Sequence, residues 1–193
     1  FVAGSIGPTG ELFAPLGTLS PEDARDTFGE QARGLADGGA DLLVIETMSD
    51  LQEVEAAVQA VRKSTNLPLL CTMTFQQKQH TLMGVSPKEA AETLGGWGVA
   101  AMGANCGTGP QEVEQVLAQM KEAVPDAVLV AKPNAGVPRL VEGRTEFNET
   151  PELMADHALR FARAGVTIIG ACCGSTPEHI LAMARALGKS PMP

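Results

Sequence analysis

The chain has 193 residues, 44% of them apolar and 19% charged, with 14 Lys+Arg against 23 Asp+Glu and a formal net charge of −9. Such a length and composition bury one sizeable core, so a single domain spanning 1–193 is expected. An acidic balance without a basic run argues against nucleic acid or an anionic membrane surface as partner, and 4% aromatic residues without tyrosine argue against a platform for stacking bases.

Short apolar runs alternate with amphipathic segments along the chain. The first run, Val2–Ile6, begins directly after Phe1, so the sequence opens inside an element, as a piece cut from a larger domain would. Ser20-Pro21-Glu22-Asp23 then marks a helix start, and Gly38-Gly39 its end. The run Leu42–Ile45 leads to a helix opened by Ser49-Asp50, with Leu51, Val54, Val58 and Val61 on one face and Asn66 at its end. Leu69–Thr74 precedes the start signal Ser86-Pro87-Lys88-Glu89 and the stop Gly95-Gly96. Val99–Ala104 precedes a helix whose buried stripe is Val113, Val116, Leu117 and Met120. Val128–Ala131 is followed by the least regular segment, Asn134 to Thr150, which reads as a long loop. Thr150-Pro151-Glu152 opens a helix ending at Gly165, Val166–Ile169 is the last run, and Thr176-Pro177-Glu178 opens a final helix ending at Gly188. The Ser/Thr-Pro starts share one cause: the hydroxyl caps a free backbone N–H, and proline at the first helical position lacks only an N–H that would be unpaired there anyway.

The runs are near-continuously apolar, as parallel strands covered on both faces should be. Six βα units in 193 residues give about 32 residues each, against roughly 31 each in an eight-unit barrel of ~250 residues. The expected fold is therefore α/β: a (β/α)8 TIM barrel, incomplete, with about six units present. An open doubly wound sheet fits the same pattern, but no GxGxxG opens a helix after the first strand. An incomplete barrel leaves two strand edges unpaired, a route to oligomers. No stretch approaches the ~20 apolar residues of a membrane span, and no signal peptide opens the chain. Cysteines without a disulfide-framework spacing complete the expectation of a cytoplasmic protein.

In parallel βα folds the chemistry lies at the carboxyl ends of the strands. Cys106, Cys172 and Cys173 fall there, while Cys71 lies inside a strand. Three thiols at one mouth are what a catalytic zinc needs, with a fourth position open for substrate. Adjacent Cys172 and Cys173 reach one metal only if the chain bends, which Gly174 permits. The competing reading is that buried cysteines are small apolar residues, and vicinal cysteines are not a standard zinc spacing. Glu46 ends Asp41-Leu-Leu-Val-Ile-Glu46, and reads either as a salt-bridge partner or as a carboxylate awaiting a cationic substrate group. Asn105 and Asn134 fit substrate positioning or turn capping. His157 and His179 fall inside helices with polar neighbours and read as surface residues; His80 lies in a loop and is uninformative. Trp97, Met48, Met73 and Met102 read as packing residues. The Gly-rich loop Gly170–Thr176, entering a helix at the last strand, offers a second reading as a phosphate cradle for a phosphorylated substrate, and a third is a non-catalytic metal-binding or interaction module.

Gly103-Ala-Asn-Cys106 and Gly170-Ala-Cys-Cys-Gly-Ser-Thr-Pro-Glu-His179 together resemble the two cysteine motifs of the zinc-dependent homocysteine S-methyltransferase domain. That family includes the homocysteine half of cobalamin-dependent methionine synthase and betaine–homocysteine methyltransferase. Gly4-Ser-Ile-Gly-Pro8, Asp41-Leu-Leu-Val-Ile-Glu-Thr47 and Lys132-Pro-Asn-Ala-Gly136 match in the same order, and the last leans towards the methionine synthase branch. The resemblance implies a barrel lacking its first two βα units, zinc bound by Cys106, Cys172 and Cys173, and Glu46 on the amino group of homocysteine. It implies methyl transfer to the homocysteine thiol, giving methionine, from cobalamin on a partner domain, a folate-linked partner or a small-molecule donor.

Overall fold

The computed structural model describes residues 1–189. In chain order, the elements are β1 (Ala3–Ile6), α1 (Pro21–Asp37), β2 (Leu42–Met48), α2 (Leu51–Ser64), β3 (Leu69–Met73), α3 (Pro87–Gly96), β4 (Ala101–Cys106), α4 (Pro110–Ala123), β5 (Leu129–Pro133), β6 (Arg139–Val141), β7 (Arg144–Glu146), α5 (Pro151–Arg163), β8 (Ile168–Ile169) and α6 (Pro177–Ala186). The expected proline-led starts are all helix starts, with Ser20, Ser86 and Thr150 side chains accepting the N–H three residues on. Asp50 caps α2 through Gln52 N–H.

Six strands form one sheet in the order β1-β2-β3-β4-β5-β8, with every pairing parallel. This order decides between the two architectures. A doubly wound sheet reverses direction at a switch point, whereas here each unit adds beside the last. Right-handed crossovers then place all the helices on one face of the sheet, where α1 packs on α2, α3 on α4 and α5 on α6. The opposite face becomes the interior of a barrel wall, with β1 and β8 at its edges. A side-chain contact shows how strongly this wall curls. Lys132 on β5 pairs with Glu46 on β2, three strands away. On a flat sheet three strand spacings are about 14 Å, more than the two side chains reach.

The core between sheet and helices is built from Ile6, Phe28, Leu43, Ile45, Val54, Met73, Leu94, Val116, Met120, Leu129 and Phe161, all buried. Met48, Met73 and Met102 are buried and Trp97 packs against this core, as the sequence suggests. Gly103 on β4 is the register partner of Val130 on β5, and a Cβ there would collide with the Val130 backbone carbonyl. Relief requires moving a whole strand. Gly103→Ala is therefore expected to cost about 3 kcal/mol or more, read as a lowered urea midpoint with an unchanged slope.

Three expectations are corrected. The segment 134–150 holds an antiparallel hairpin, β6 against β7, turning through Glu142 and Gly143 with φ of 49° and 78°. Two consecutive positive φ values make the type I′ turn that matches strand twist; Glu-Gly is a weak version of its usual Asn-Gly or Asp-Gly signal. Strands β2, β4 and β5 run past their apolar stretches to Met48, Cys106 and Pro133, because polar residues at their ends find partners inside the wall. His157 and His179 are buried, 2% and 7% exposed, rather than on the surface. His157 Nδ1 lies 2.6 Å from a Glu114 carboxylate oxygen on α4, which Arg160 also contacts at 2.8 Å, so a helix-helix ion cluster satisfies the ring. His179 accepts Thr176 N–H at Nδ1, 3.0 Å, and donates from Nε2 to the Glu149 carbonyl, 3.0 Å, closing a capping box on α6.

Candidate metal centre

The sulfurs of Cys106, Cys172 and Cys173 lie within 4.8 Å of one another at the carboxyl ends of β4 and β8, as the sequence suggests for the three. Each reaches the cluster by a local departure from regular backbone. Cys106 ends β4 with φ 56°, and Gly107 follows at φ 73°, where a Cβ would come 2.6 Å from the Phe75 carbonyl. Two successive left-handed residues turn the chain out of the strand. After β8, Cys172 N–H still bonds the Pro133 carbonyl at 2.8 Å, but Gly174 at φ 79° bends the chain away. Phe147 covers Gly174 so closely that no side chain fits there. Adjacent cysteines normally diverge; this bend lets both thiols face Cys106.

Two buried asparagines brace the cluster. Asn134 donates to the Gly107 carbonyl at 3.0 Å and accepts Cys173 N–H at 3.1 Å, which ties the two cysteine loops together. Asn105 accepts Thr47 N–H at 2.8 Å and Thr72 Oγ–H at 2.7 Å, and donates to Thr47 Oγ1 at 2.8 Å and Cys172 Sγ at 3.9 Å. Thr47 stands at φ 67°, a strained value for a β-branched residue, inside an irregularity of the β2–β3 ladder. Asn105 takes the amide that this kink removes from the ladder. Asn105→Ala strands several buried groups, so a stability loss of about 2–4 kcal/mol is expected. Loss of its contact to Cys172 is expected to weaken metal binding roughly 10–100-fold, read by chelator competition.

The thiols are free rather than bridged. Cys106 and Cys172 sulfurs are 2.7 Å apart, beyond a disulfide bond of about 2.05 Å, while Cys106 and Cys173 are 3.8 Å apart. Two thiolates on one tetrahedral zinc at 2.3 Å stand roughly 3.8 Å apart. The Cys106–Cys173 pair already has that spacing, and the Cys106–Cys172 pair must open by about 1 Å to reach it. The close pair shares a proton: the hydrogen bond from Cys106, ahead of the Cys173 amide and Asn105, draws the Cys172 thiol down to about 5 against the opposing effect of burial. The same hydrogen bond, together with burial, pushes Cys106 up. Cys71 is buried in β3 away from the cluster, and burial pushes its thiol up.

Glu46 faces the same interior. Its carboxylate accepts Ser5 Oγ–H at 2.6 Å and pairs with Lys132. Burial opposes its ionisation, but the Lys132 and Ser5 hydrogen bonds and the Lys132 charge outweigh burial and hold the carboxyl below its ordinary value. Ser5, Thr47, Thr72 and Lys132 are neighbours of the candidate site that sequence reasoning passed over, although Ser5, Thr47 and Lys132 lie inside motifs it singled out. The clearest overlooked signal was Lys132, a charge at the end of a buried apolar strand. The Gly170–Thr176 loop presents few donors to a phosphate: N–H groups of Cys172, Cys173, Ser175 and Thr176 already have protein acceptors. A cavity of about 270 Å³ borders Cys106, between Thr74, Gln76, Thr108, Asn134 and Pro138.

A family model described as homocysteine S-methyltransferase matches residues 1–187. The chain belongs to this family. It is 33% identical to methionine synthase of Mycobacterium leprae (strain TN) over 197 residues, covering 98% of the chain and 16% of that protein. It is also 33% identical to methionine synthase of Mycobacterium tuberculosis (strain ATCC 25618 / H37Rv) over 201 residues, covering 100% of the chain and 16% of that protein. The chain thus spans about one-sixth of the length of these curated relatives. Among solved structures, the metallated form of the homocysteine methyltransferase MmuM from Escherichia coli superposes with a TM-score of 0.77 at 26% identity, covering 95% of this chain and 60% of that one. A metallated form is thus known for a solved protein that shares this barrel architecture. Among the described residues no helix is long and apolar enough to cross a membrane.

Proposed function

We propose that the chain binds zinc through Cys106, Cys172 and Cys173 and transfers a methyl group to the thiol of homocysteine, forming methionine. The observation that carries this reading is the convergence of three sulfurs within 4.8 Å at the strand ends of a homocysteine S-methyltransferase fold. Three thiolates would hold zinc and leave a fourth ligand position for substrate, the donor set of catalytic rather than structural zinc. Bound there, zinc would supply Lewis-acid activation, holding the substrate sulfur as thiolate at a pH where a free thiol, with a pKa near 8.5, is mostly protonated.

The chain's own residues do the rest. Zinc held by three thiolates would carry a net charge of −1, and −2 with the substrate thiolate, so the substrate sulfur would stay electron-rich enough to attack the methyl carbon in line as the donor's leaving group departs. No general base is needed for that attack. Asn105 and Asn134 fix the two cysteine loops relative to each other and to β2. Glu46 takes the substrate ammonium, with Ser5 orienting its carboxylate. The donor is a methylated cobalamin on a partner domain, as the sequence resemblance implies, or a small methylated donor. Free thiols and an acidic surface suit a cytoplasmic setting.

The test is methionine formation from L-homocysteine with methylcobalamin as donor, using zinc-loaded and chelator-stripped chain. Zinc-dependent methionine is expected. Zinc binding without any response to thiols would instead indicate a metal-holding module.

A further inference from the structure

Glu46 has a cationic partner before any substrate arrives. One carboxylate oxygen holds Ser5 and the other holds Lys132, with the Glu46 and Lys132 side chains 18% and 27% exposed. Lys132 is flanked on β5 by buried Ala131 and Pro133, where a charge is costly. Its register partner is Asn105, the residue before Cys106. Its stem passes Gly170, where a Cβ would stand 3.5 Å from Lys132 Cγ, two residues before Cys172. The ammonium is thus held at Glu46 while the stem lies along the segment that leads into the cysteines.

Resting on the homocysteine reading above, we infer that Lys132 is a specificity-determining residue that binds the α-carboxylate of the substrate. An α-amino acid is itself a pair of opposite charges on neighbouring atoms. When its ammonium takes Glu46, Lys132 is released within reach of its carboxylate, and one ion pair becomes two. Ser5 stays on the other Glu46 oxygen throughout. A thiol that carries only an ammonium separates Glu46 from Lys132 and leaves the lysine without a partner. The resident pair therefore selects zwitterionic thiols over simple amines, and it keeps Glu46 ionised and in place in the free site. The swap moves no proton and leaves the charge of the protein unchanged.

The test is calorimetric titration of the zinc-loaded chain with L-homocysteine and with 3-aminopropane-1-thiol, its analogue without the carboxylate. The wild type is expected to prefer homocysteine roughly 10–100-fold, the range of a charge-assisted pair. In Lys132→Met, homocysteine is expected to weaken by that factor. The aminothiol should hold or gain affinity, because Glu46 is freed for its ammonium. Lys132→Arg, which keeps the charge, is expected to retain most of the preference, and it serves as the test should the neutral variant not fold. Equal weakening of both thiols, unchanged homocysteine affinity in Lys132→Met, or loss of the preference in a folded Lys132→Arg overturns the inference. A wild type that binds neither thiol overturns the homocysteine reading itself, a different result from a retained preference without Lys132.

Discussion

Cys173→Ala is expected to fold normally and to lose zinc and homocysteine methylation together. Cys173 is the exposed member of the cluster, so its side chain contributes little to the core. Its sulfur stands 3.8 Å from that of Cys106, the spacing of two ligands on one tetrahedral ion. Apparent zinc affinities of four-ligand sites correspond to about 10–16 kcal/mol, so one thiolate accounts for roughly 3–4 kcal/mol, or about 10²–10³-fold in affinity. Metal analysis after dialysis should show near-stoichiometric zinc in the wild type and a trace in the variant. Cys71→Ala is the matched control. It removes a buried sulfur from β3 at a cost of about 1 kcal/mol in stability, with zinc content unchanged, because Cys71 is remote from the cluster. Loss of zinc from Cys71→Ala, or its retention by Cys173→Ala, contradicts the ligand assignment.

Glu46→Gln is expected to keep zinc but to weaken homocysteine binding roughly 10–100-fold, since the ammonium loses a charged acceptor. It weakens 3-aminopropane-1-thiol as well, which distinguishes it from the loss of Lys132. The same substitution gives a stability signature with a defined sign. The native carboxyl is held below its ordinary value despite burial, through Lys132 and Ser5. Its ionised form therefore stabilises the fold above the unfolded pKa of about 4.3, and that contribution is lost as pH falls through the lowered native value. The stability gap between wild type and Glu46→Gln, measured by urea unfolding, should be full at neutral pH and shrink in acid. A gap that widens in acid contradicts the ion pair.

Much of this architecture was legible because its causes are local. The proline-led caps at Ser20, Ser86 and Thr150 act within one turn, and the apolar stretches leading to Ile45 and Ala131 report strands covered on both faces. The cysteines were legible through residue type and place, at the ends of strands where parallel folds keep their chemistry. The overlooked features are set by contacts between distant segments. Thr47 adopts a positive φ because Asn105, 58 residues away, takes its amide. His157 looks like a surface residue beside Asp156 on a helix, yet Glu114 on the neighbouring helix makes burial tolerable. Lys132 and Glu46 meet across three strands only because the sheet curls. Local pattern can mark Lys132 as an unusual charge at a strand end, but it carries no information on which distant residue each of these meets.

The assignment of the three cysteines as a metal centre with an open position for the substrate sulfur is tested most directly by zinc K-edge X-ray absorption. Spectra of the zinc-loaded chain are recorded with and without L-homocysteine. Three sulfur scatterers and one lighter atom are expected in the free protein, becoming four sulfurs at about 2.3 Å when homocysteine binds. A zinc environment that starts with fewer than three sulfurs, or that does not change with homocysteine present, contradicts the account.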